Sequence, residues 1–146
     1  MPVRPATPDD VPGIRRCVIE AYSRYADRLD RPPAPLGDDY DAAVRAGHAF
    51  VDAEAGVRGV IVLVAAPDHL LVRNLAVQPD LQGQGIGSRL LDFAEARARG
   101  LRLPEVRLYT NEAMVENLAF YRARGYRETR RSVEDGYARV FFAKGL

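Results

Sequence analysis

The residues most suited to chemistry lie in one mid-chain segment, "LAVQPDLQGQGIGSRLL", from Leu75 to Leu91. An apolar run ends at Val77, Pro79-Asp80 supplies a turn, and Gln82-Gly83-Gln84-Gly85-Ile86-Gly87-Ser88 leads into helical spacing. A helix start carries unpaired N–H groups and a partial positive charge, so it binds phosphate without a dedicated side chain. Gly83, Gly85 and Gly87 lack the β-carbons that would keep a pyrophosphate from successive N–H groups, and Ser88 adds a hydroxyl. The segment reads as a pyrophosphate cradle.

Two better-known glycine loops fit poorly. The dinucleotide fingerprint requires G-x-G-x-x-G early in a βαβ unit, whereas the spacing here is G-x-G-x-G after an antiparallel meander. A P-loop requires Gly-Lys-Ser/Thr, and the only lysine is Lys144. A plain strand-to-helix turn explains one or two glycines but not three in alternation.

The segment resembles the acetyl-CoA signature of the GCN5-related N-acetyltransferases (GNAT), Gln/Arg-x-x-Gly-x-Gly/Ala, met here by Gln82, Gly85 and Gly87. A second stretch, "TNEAMVENLAFYRARGYRE", resembles the family's other cofactor-binding helix through Phe120-Tyr121-Arg122-Ala123-Arg124-Gly125-Tyr126. The resemblance runs from Val3 to about Lys144. It implies an N-acetyltransferase that moves the acetyl group of acetyl-CoA directly to a primary amine. Leu75, Ala76 and Val77 would splay at a bulge and pair with the pantetheine arm. Gln82, Gly83, Gln84, Gly85, Ile86, Gly87 and Ser88 would hold the pyrophosphate, and Tyr121 would protonate the departing CoA thiolate. Many members place an asparagine seven residues before this tyrosine. Met114 stands there, leaving Asn117, on the same helix face, as the candidate contact, while Asn111 is expected to cap the helix.

No general base stands out. The strand that often supplies a carboxylate in relatives offers Arg73 and Asn74, so a water relay is the preferred reading. Glu112 and Glu116 read as a solvated helix face, and His48 and His69 as residues at strand starts. Two histidines and Cys17 give no metal-binding spacing. The acceptor is expected to meet the segment from Glu20 to Asp41. There Asp27, Asp30, Asp38, Asp39 and Asp41 stand against Arg24, Arg28 and Arg31, with Tyr22, Tyr25 and Tyr40 among them. Acids beside aromatics suit a cationic amine, although Tyr22 and Tyr25 at helical spacing equally suit the core. Tyr22, Tyr25 and Asn74 are the candidate acceptor contacts, for a small molecule or a peptide. The competing class is a non-catalytic acyl-CoA sensor with the same cradle.

The elements that must position these groups follow from periodicity. "TPDDVPGIRRCVIEAYSRYADRL" places Val11, Ile14, Val18, Ala21, Tyr22 and Tyr25 on one helical face, and a short helix is expected at 39–46. "HAFVDAE", "GVRGVIVLVAAP" and "HLLVRNLAVQP" read as a three-stranded meander. Ile86, Leu90, Ala94 and Ala98 mark a helix ending at Gly100. "PEVRLYT" is then a strand, "NEAMVENLAFYRARG" a helix, and "YRETRRSVEDGYARVFFAKGL" a hairpin turning near Asp135-Gly136. The order β-α-α-β-β-β-α-β-α-β-β predicts a three-layer α/β (α+β) fold: a mixed, mostly antiparallel sheet of six or seven strands with about four helices, in a single domain spanning 1–146.

The 146 residues, 47% hydrophobic and 28% charged, suffice for one core. A net charge of +1 argues against a nucleic-acid partner. Residues 1–70 hold 8 basic against 11 acidic residues and 71–146 hold 13 against 9, a split that suits an amine on one side and a polyphosphate on the other. One cysteine, no secretory pattern in "MPVRPATPDD" and no membrane-length apolar run give the expectation of a cytoplasmic protein without a membrane partner. The apolar last strand, "YARVFFAKGL", suggests a homodimer formed by pairing or packing.

Overall fold

The computed structural model describes residues 3–23, 25–29 and 32–146; Arg24, Asp30 and Arg31 of the acid-rich segment lie outside them. Seven strands form one sheet: β1 (Val3–Pro5), β2 (Ala49–Ala53), β3 (Val57–Ala65), β4 (Leu70–Val77), β5 (Glu105–Asn111), β6 (Arg127–Glu134) and β7 (Tyr137–Gly145). Their spatial order is β1-β2-β3-β4-β5-β7-β6. Only β4 and β5 run parallel; every other neighbouring pair is antiparallel. The α-helices are α1 (Val11–Ser23), α2 (Tyr40–Arg45), α3 (Ile86–Gly100) and α4 (Val115–Ala123). Element order and fold class agree with the sequence reading.

The central strand β3 shows why the chain forms three layers. Its run "VIVL" is buried on both sides: Val60 and Val62 pack with α1 and α2, and Ile61 and Leu63 with α3. A strand covered on both faces has no polar side, hence the continuous apolar run. Ile86, Leu90, Ala94 and Ala98 face the sheet as expected. Gly59 permits their close approach, since a Cβ there would stand 2.9 Å from Ile86 Cγ2 and 3.0 Å from Leu90 Cδ1. α3 is tied to the C-terminal half through the buried Glu95, which receives hydrogen bonds from the Tyr126 hydroxyl at 3.0 Å and Lys144 Nζ at 3.0 Å. The β6–β7 turn places Asp135 (φ 54°) and Gly136 (φ 82°) in the left-handed region, as a two-residue hairpin requires.

Three expectations need correction. The first helix stops at Ser23, whose hydroxyl donates to the Glu20 carbonyl at 2.8 Å, the local bonding by which serine competes with helix continuation. Tyr25 is therefore not in α1, although it is buried with it. Asn111 does not cap α4: it remains in β5 opposite Arg139, its Oδ1 accepts the Ala113 N–H at 2.9 Å, and α4 begins only at Val115. The strand that ends Leu75-Ala76-Val77 does carry a bulge, at Arg73, which β3 skips between the pairs Val62–Asn74 and Leu63–Val72. Finally, β7 offers no edge for a dimer, being paired on both sides; its Val140, Phe142 and Ala143 enter the core, and β6 is the outer strand.

Candidate functional site

Beyond Val72–Leu108, β4 and β5 no longer pair, while β5 continues along β7 as far as Asn111. The two strands open like a V, leaving the Leu75–Val77 edge of β4 without a strand neighbour on that side. Below this edge the chain turns through Pro79–Leu81 and enters α3. Gly83 (φ 85°) and Gly85 (φ 84°) are left-handed, a conformation costly for any other residue. Among the described residues, the N–H groups from Gly83 to Ser88 donate to no carbonyl. The Gln82 side-chain amide reaches back to the Val77 carbonyl at 3.3 Å and anchors the loop to the strand. Gly87 packs beside α4, where a Cβ would make an ordinary contact, 3.4 Å from Phe120 Cζ.

This loop forms one wall of a cleft of about 450 Å³, within the size range of small-molecule and cofactor sites. Leu75, Ala76, Val77, Gln82, Gly83, Gly85, Ile86, Gly87, Ser88, Asn117, Tyr121, Tyr22 and Tyr25 all line it. Of the cradle residues only Gln84 does not; it is exposed, and its carbonyl points back to Arg89 Nη1 at 3.5 Å. Asn117 donates long contacts to Thr110 Oγ1 (3.4 Å) and Met114 Sδ (3.7 Å), so Met114, buried at its back, orients the amide at the cleft wall.

On the far side of the V lies a second, smaller cavity of about 50 Å³. Its lining comes from β4 (Val72, Arg73, Asn74), β5 (Tyr109, Thr110), β7 (Tyr137, Arg139) and the stretch containing Leu29, Pro33 and Pro35. Tyr137 Oη donates to the Pro32 carbonyl at 2.7 Å, closing this stretch over the sheet. Three residues line both spaces: Tyr22, Leu75 and Tyr121.

At that junction the polar groups are strictly arranged. Asn74, only 4% exposed, donates Nδ2 to Tyr40 Oη at 2.5 Å and accepts from Tyr22 Oη at 3.2 Å. Tyr22 Oη also lies 3.3 Å from the Leu75 carbonyl, and Tyr40 Oη donates to the Pro35 carbonyl at 2.6 Å. Tyr121 differs. It is 6% exposed, its ring centroid stands 5.9 Å from Phe142 and 6.2 Å from Tyr126, and among the described residues its hydroxyl has no hydrogen-bond partner. Burial, and then the neighbouring Tyr25, push its pKa above the ordinary tyrosine value, so it stays protonated. The ring is buried, but Tyr121 lines both cavities and its hydroxyl is left available to a ligand.

The candidate bases lie elsewhere. Glu116 lines the cleft but is held by Arg28 at 2.6 and 3.0 Å. Glu112 stands 3.8 Å from Arg131, and His69 Nδ1 is 2.7 Å from Asp68. His48 lines neither space. Cys17 is on the buried face of α1, its thiol pushed up to about 12 by burial and then by Glu20, the opposite of an activated nucleophile. The segment expected to meet the acceptor lines the smaller cavity through Tyr22, Leu29, Pro33 and Pro35, and none of its described acids does. Asp39 caps α2, Asp41 pairs with Arg15 at 2.6 Å and Asp38 with Arg73 at 3.3 Å. Sequence reasoning missed Tyr109, Tyr137 and Arg139. Their signal was present, since Tyr137 and Arg139 alternate on one strand face, but nothing local tied that face to the cradle.

With this geometry in place, comparison with known proteins is direct. Residues 45–128, more than half of the chain, match the family model of the acetyltransferase (GNAT) domain. The chain belongs to this family. It is 27% identical over 81 residues to the uncharacterized protein YxbD of Bacillus subtilis; the match takes in 56% of this chain and spans half the length of that relative. Among solved structures it is similar to the IAA acetyltransferase of Bacillus cereus, with 27% identity, 78% of this chain and 87% of that one covered, and a TM-score of 0.65. It also shares the fold of a GNAT family acetyltransferase of Elizabethkingia anophelis with acetyl-CoA bound, at 20% identity, 78% and 86% coverage and a TM-score of 0.64.

Proposed function

We propose that this chain is an acetyl-CoA-dependent N-acetyltransferase in which a primary amine attacks the thioester directly. The observation that carries the reading is the meeting of two cavities at one buried, unpartnered phenol, Tyr121. The larger cleft, with its free amide row, suits a pyrophosphate-bearing cofactor, and the acetyl-CoA bound to the Elizabethkingia protein of the same fold agrees with that assignment. The pyrophosphate would lie on the N–H groups of 83–88, with Ser88 Oγ beside it. The pantetheine would run along Leu75–Val77 as an added strand, with Asn117 facing it across the cleft.

The acyl carbon would then reach the Tyr22–Leu75–Tyr121 junction, with the amine arriving through the smaller cavity. The amine nitrogen bonds to the carbonyl carbon, the C–S bond breaks, and the thiolate takes its proton from the Tyr121 hydroxyl. The desolvation that holds Tyr121 protonated also makes a thiolate beside it more basic. The proton lost by the amine leaves through water, which in turn restores the proton to the Tyr121 phenolate, because no carboxylate among the described residues lines the smaller cavity. Direct attack is supported further by Cys17, whose buried, protonated thiol is a poor acyl carrier.

Tyr121→Phe tests the assignment. Under saturating acetyl-CoA, kcat should fall about a hundredfold to a thousandfold, while calorimetric affinity for acetyl-CoA stays unchanged. An unchanged kcat would remove Tyr121 from the chemistry.

A further inference from the structure

The smaller cavity has the wrong charge for a purely cationic amine. Its charged lining among the described residues is two guanidinium groups, Arg73 and Arg139, with no carboxylate. Arg73 and Tyr109 are the residues that follow the last β4–β5 pair, so Arg73 stands where the strands open. Arg139 lies opposite Asn111 on β7, its guanidinium carbon 4.6 Å from the Tyr109 ring centre and 5.7 Å from that of Tyr137. Aromatic faces hold a guanidinium in a fixed plane while leaving its N–H edge available.

Both cations are weakly compensated. Arg139, with a side chain only 16% exposed, meets Glu134 through one contact of 3.4 Å, and Glu134 is shared with Arg130 at 3.4 Å. Arg73 meets Asp38 through one contact of 3.3 Å. Neither pair closes the two-bond fork that makes an arginine–carboxylate contact strong. An amine with no anionic group would add a positive charge beside two guanidinium groups that each have only a single carboxylate contact, of 3.4 and 3.3 Å, whereas one carrying a carboxylate would supply the further bonds that each fork can make.

We infer that the acceptor is a small amine that also bears a carboxylate, an α-amino acid in its simplest form, with the carboxylate held by Arg139 and Arg73 and the amine at the Tyr22–Leu75–Tyr121 junction. This rests on the acetyl-transfer reading and deepens it. The cavity of about 50 Å³ fits a compact head group better than an extended chain.

Matched pairs that differ only in the carboxylate test the inference: serine with ethanolamine, lysine with cadaverine, and tyrosine with tyramine, with spermidine as a polycation. Each is titrated calorimetrically into the CoA-loaded protein and assayed for acetyl transfer. At least one carboxylated member should bind about tenfold or more tightly than its counterpart, a difference of about 1.4 kcal/mol. Arg139→Gln should bring that ratio to about one without changing acetyl-CoA affinity. Arg73→Gln, at an exposed position that leaves the fold intact, should lower the ratio severalfold. Tighter binding of spermidine or of the decarboxylated amines would overturn the inference. So would binding of neither member of any pair, or a preference that survives both substitutions. Failure of the wild-type protein to bind acetyl-CoA would instead sink the acetyl-transfer reading, and this inference with it.

Discussion

The cradle before α3 and the smaller cavity across the V are built in opposite ways. The cradle is backbone: six consecutive residues, Gly83 to Ser88, present amide groups, and the Gln82 side chain anchors the loop. The cavity is side chain: Tyr22, Asn74, Arg73, Tyr109 and Arg139 arrive from α1, β4, β5 and β7 and share no stretch of sequence. The difference teaches where variation can enter such a fold. A backbone cradle fixes the cofactor, whereas a cavity of separate side chains can change its acceptor one residue at a time.

The comparison can be broken most sharply from the cavity side. Asn74→Ala leaves the hydroxyls of Tyr22 and Tyr40 without their shared partner, a loss of about 1–3 kcal/mol. The KM for the amine should rise about fivefold to a hundredfold with acetyl-CoA affinity unchanged in steady-state kinetics; equal losses for both substrates would show that the two regions are not separable.

A smaller effect is spread over both regions. Tyr22, Tyr40, Tyr121 and Tyr126 all have pKa values raised by burial above the ordinary 10.0, Tyr126 also by Glu95. On unfolding these phenols return to the ordinary value and lose protons first. Their contribution is therefore complete below pH about 10 and is lost as pH rises above it, by about 1.4 kcal/mol per pH unit for each tyrosine. Urea denaturation from about pH 8 to pH 11 should show a steepening loss above 10; a flat profile would mean that the phenols are not dry. The smallest effect belongs to Gly87→Ala. Its Cβ would make an ordinary contact with Phe120, and helix propensity favours alanine, so stability in thermal melts should move little, within about 1 kcal/mol.

The same contrast explains what the sequence could disclose. The element order was legible because β3 needs an unbroken apolar run, α3 repeats at helical spacing, and Asp135-Gly136 can form only a tight turn. The cradle was legible because everything it needs is contiguous. The bulge at Arg73 was not, since it depends on register with β3. The end of α1 at Ser23 was missed because one serine hydroxyl competes with the helix. Asn111 misled because an asparagine before a helix usually caps it, whereas here pairing with β7 holds it in the strand. The acids of 27–41 misled because their partners, Arg15 and Arg73, lie outside the local window. The charge of the cavity became visible only when β4, β5 and β7 were brought side by side.

The most direct test of the central claim is calorimetric titration with acetyl-CoA, NAD and ATP of the wild-type protein and of Ser88→Asp. A carboxylate in the first turn of α3 favours the helix itself but repels an incoming pyrophosphate, so loss of binding in a variant that melts no lower than wild type isolates the site from the fold. Selective binding of acetyl-CoA by the wild-type protein, weakened about a hundredfold or more in the variant, is the predicted result; no binding of acetyl-CoA by the wild-type protein, or equal binding by both proteins, would contradict it.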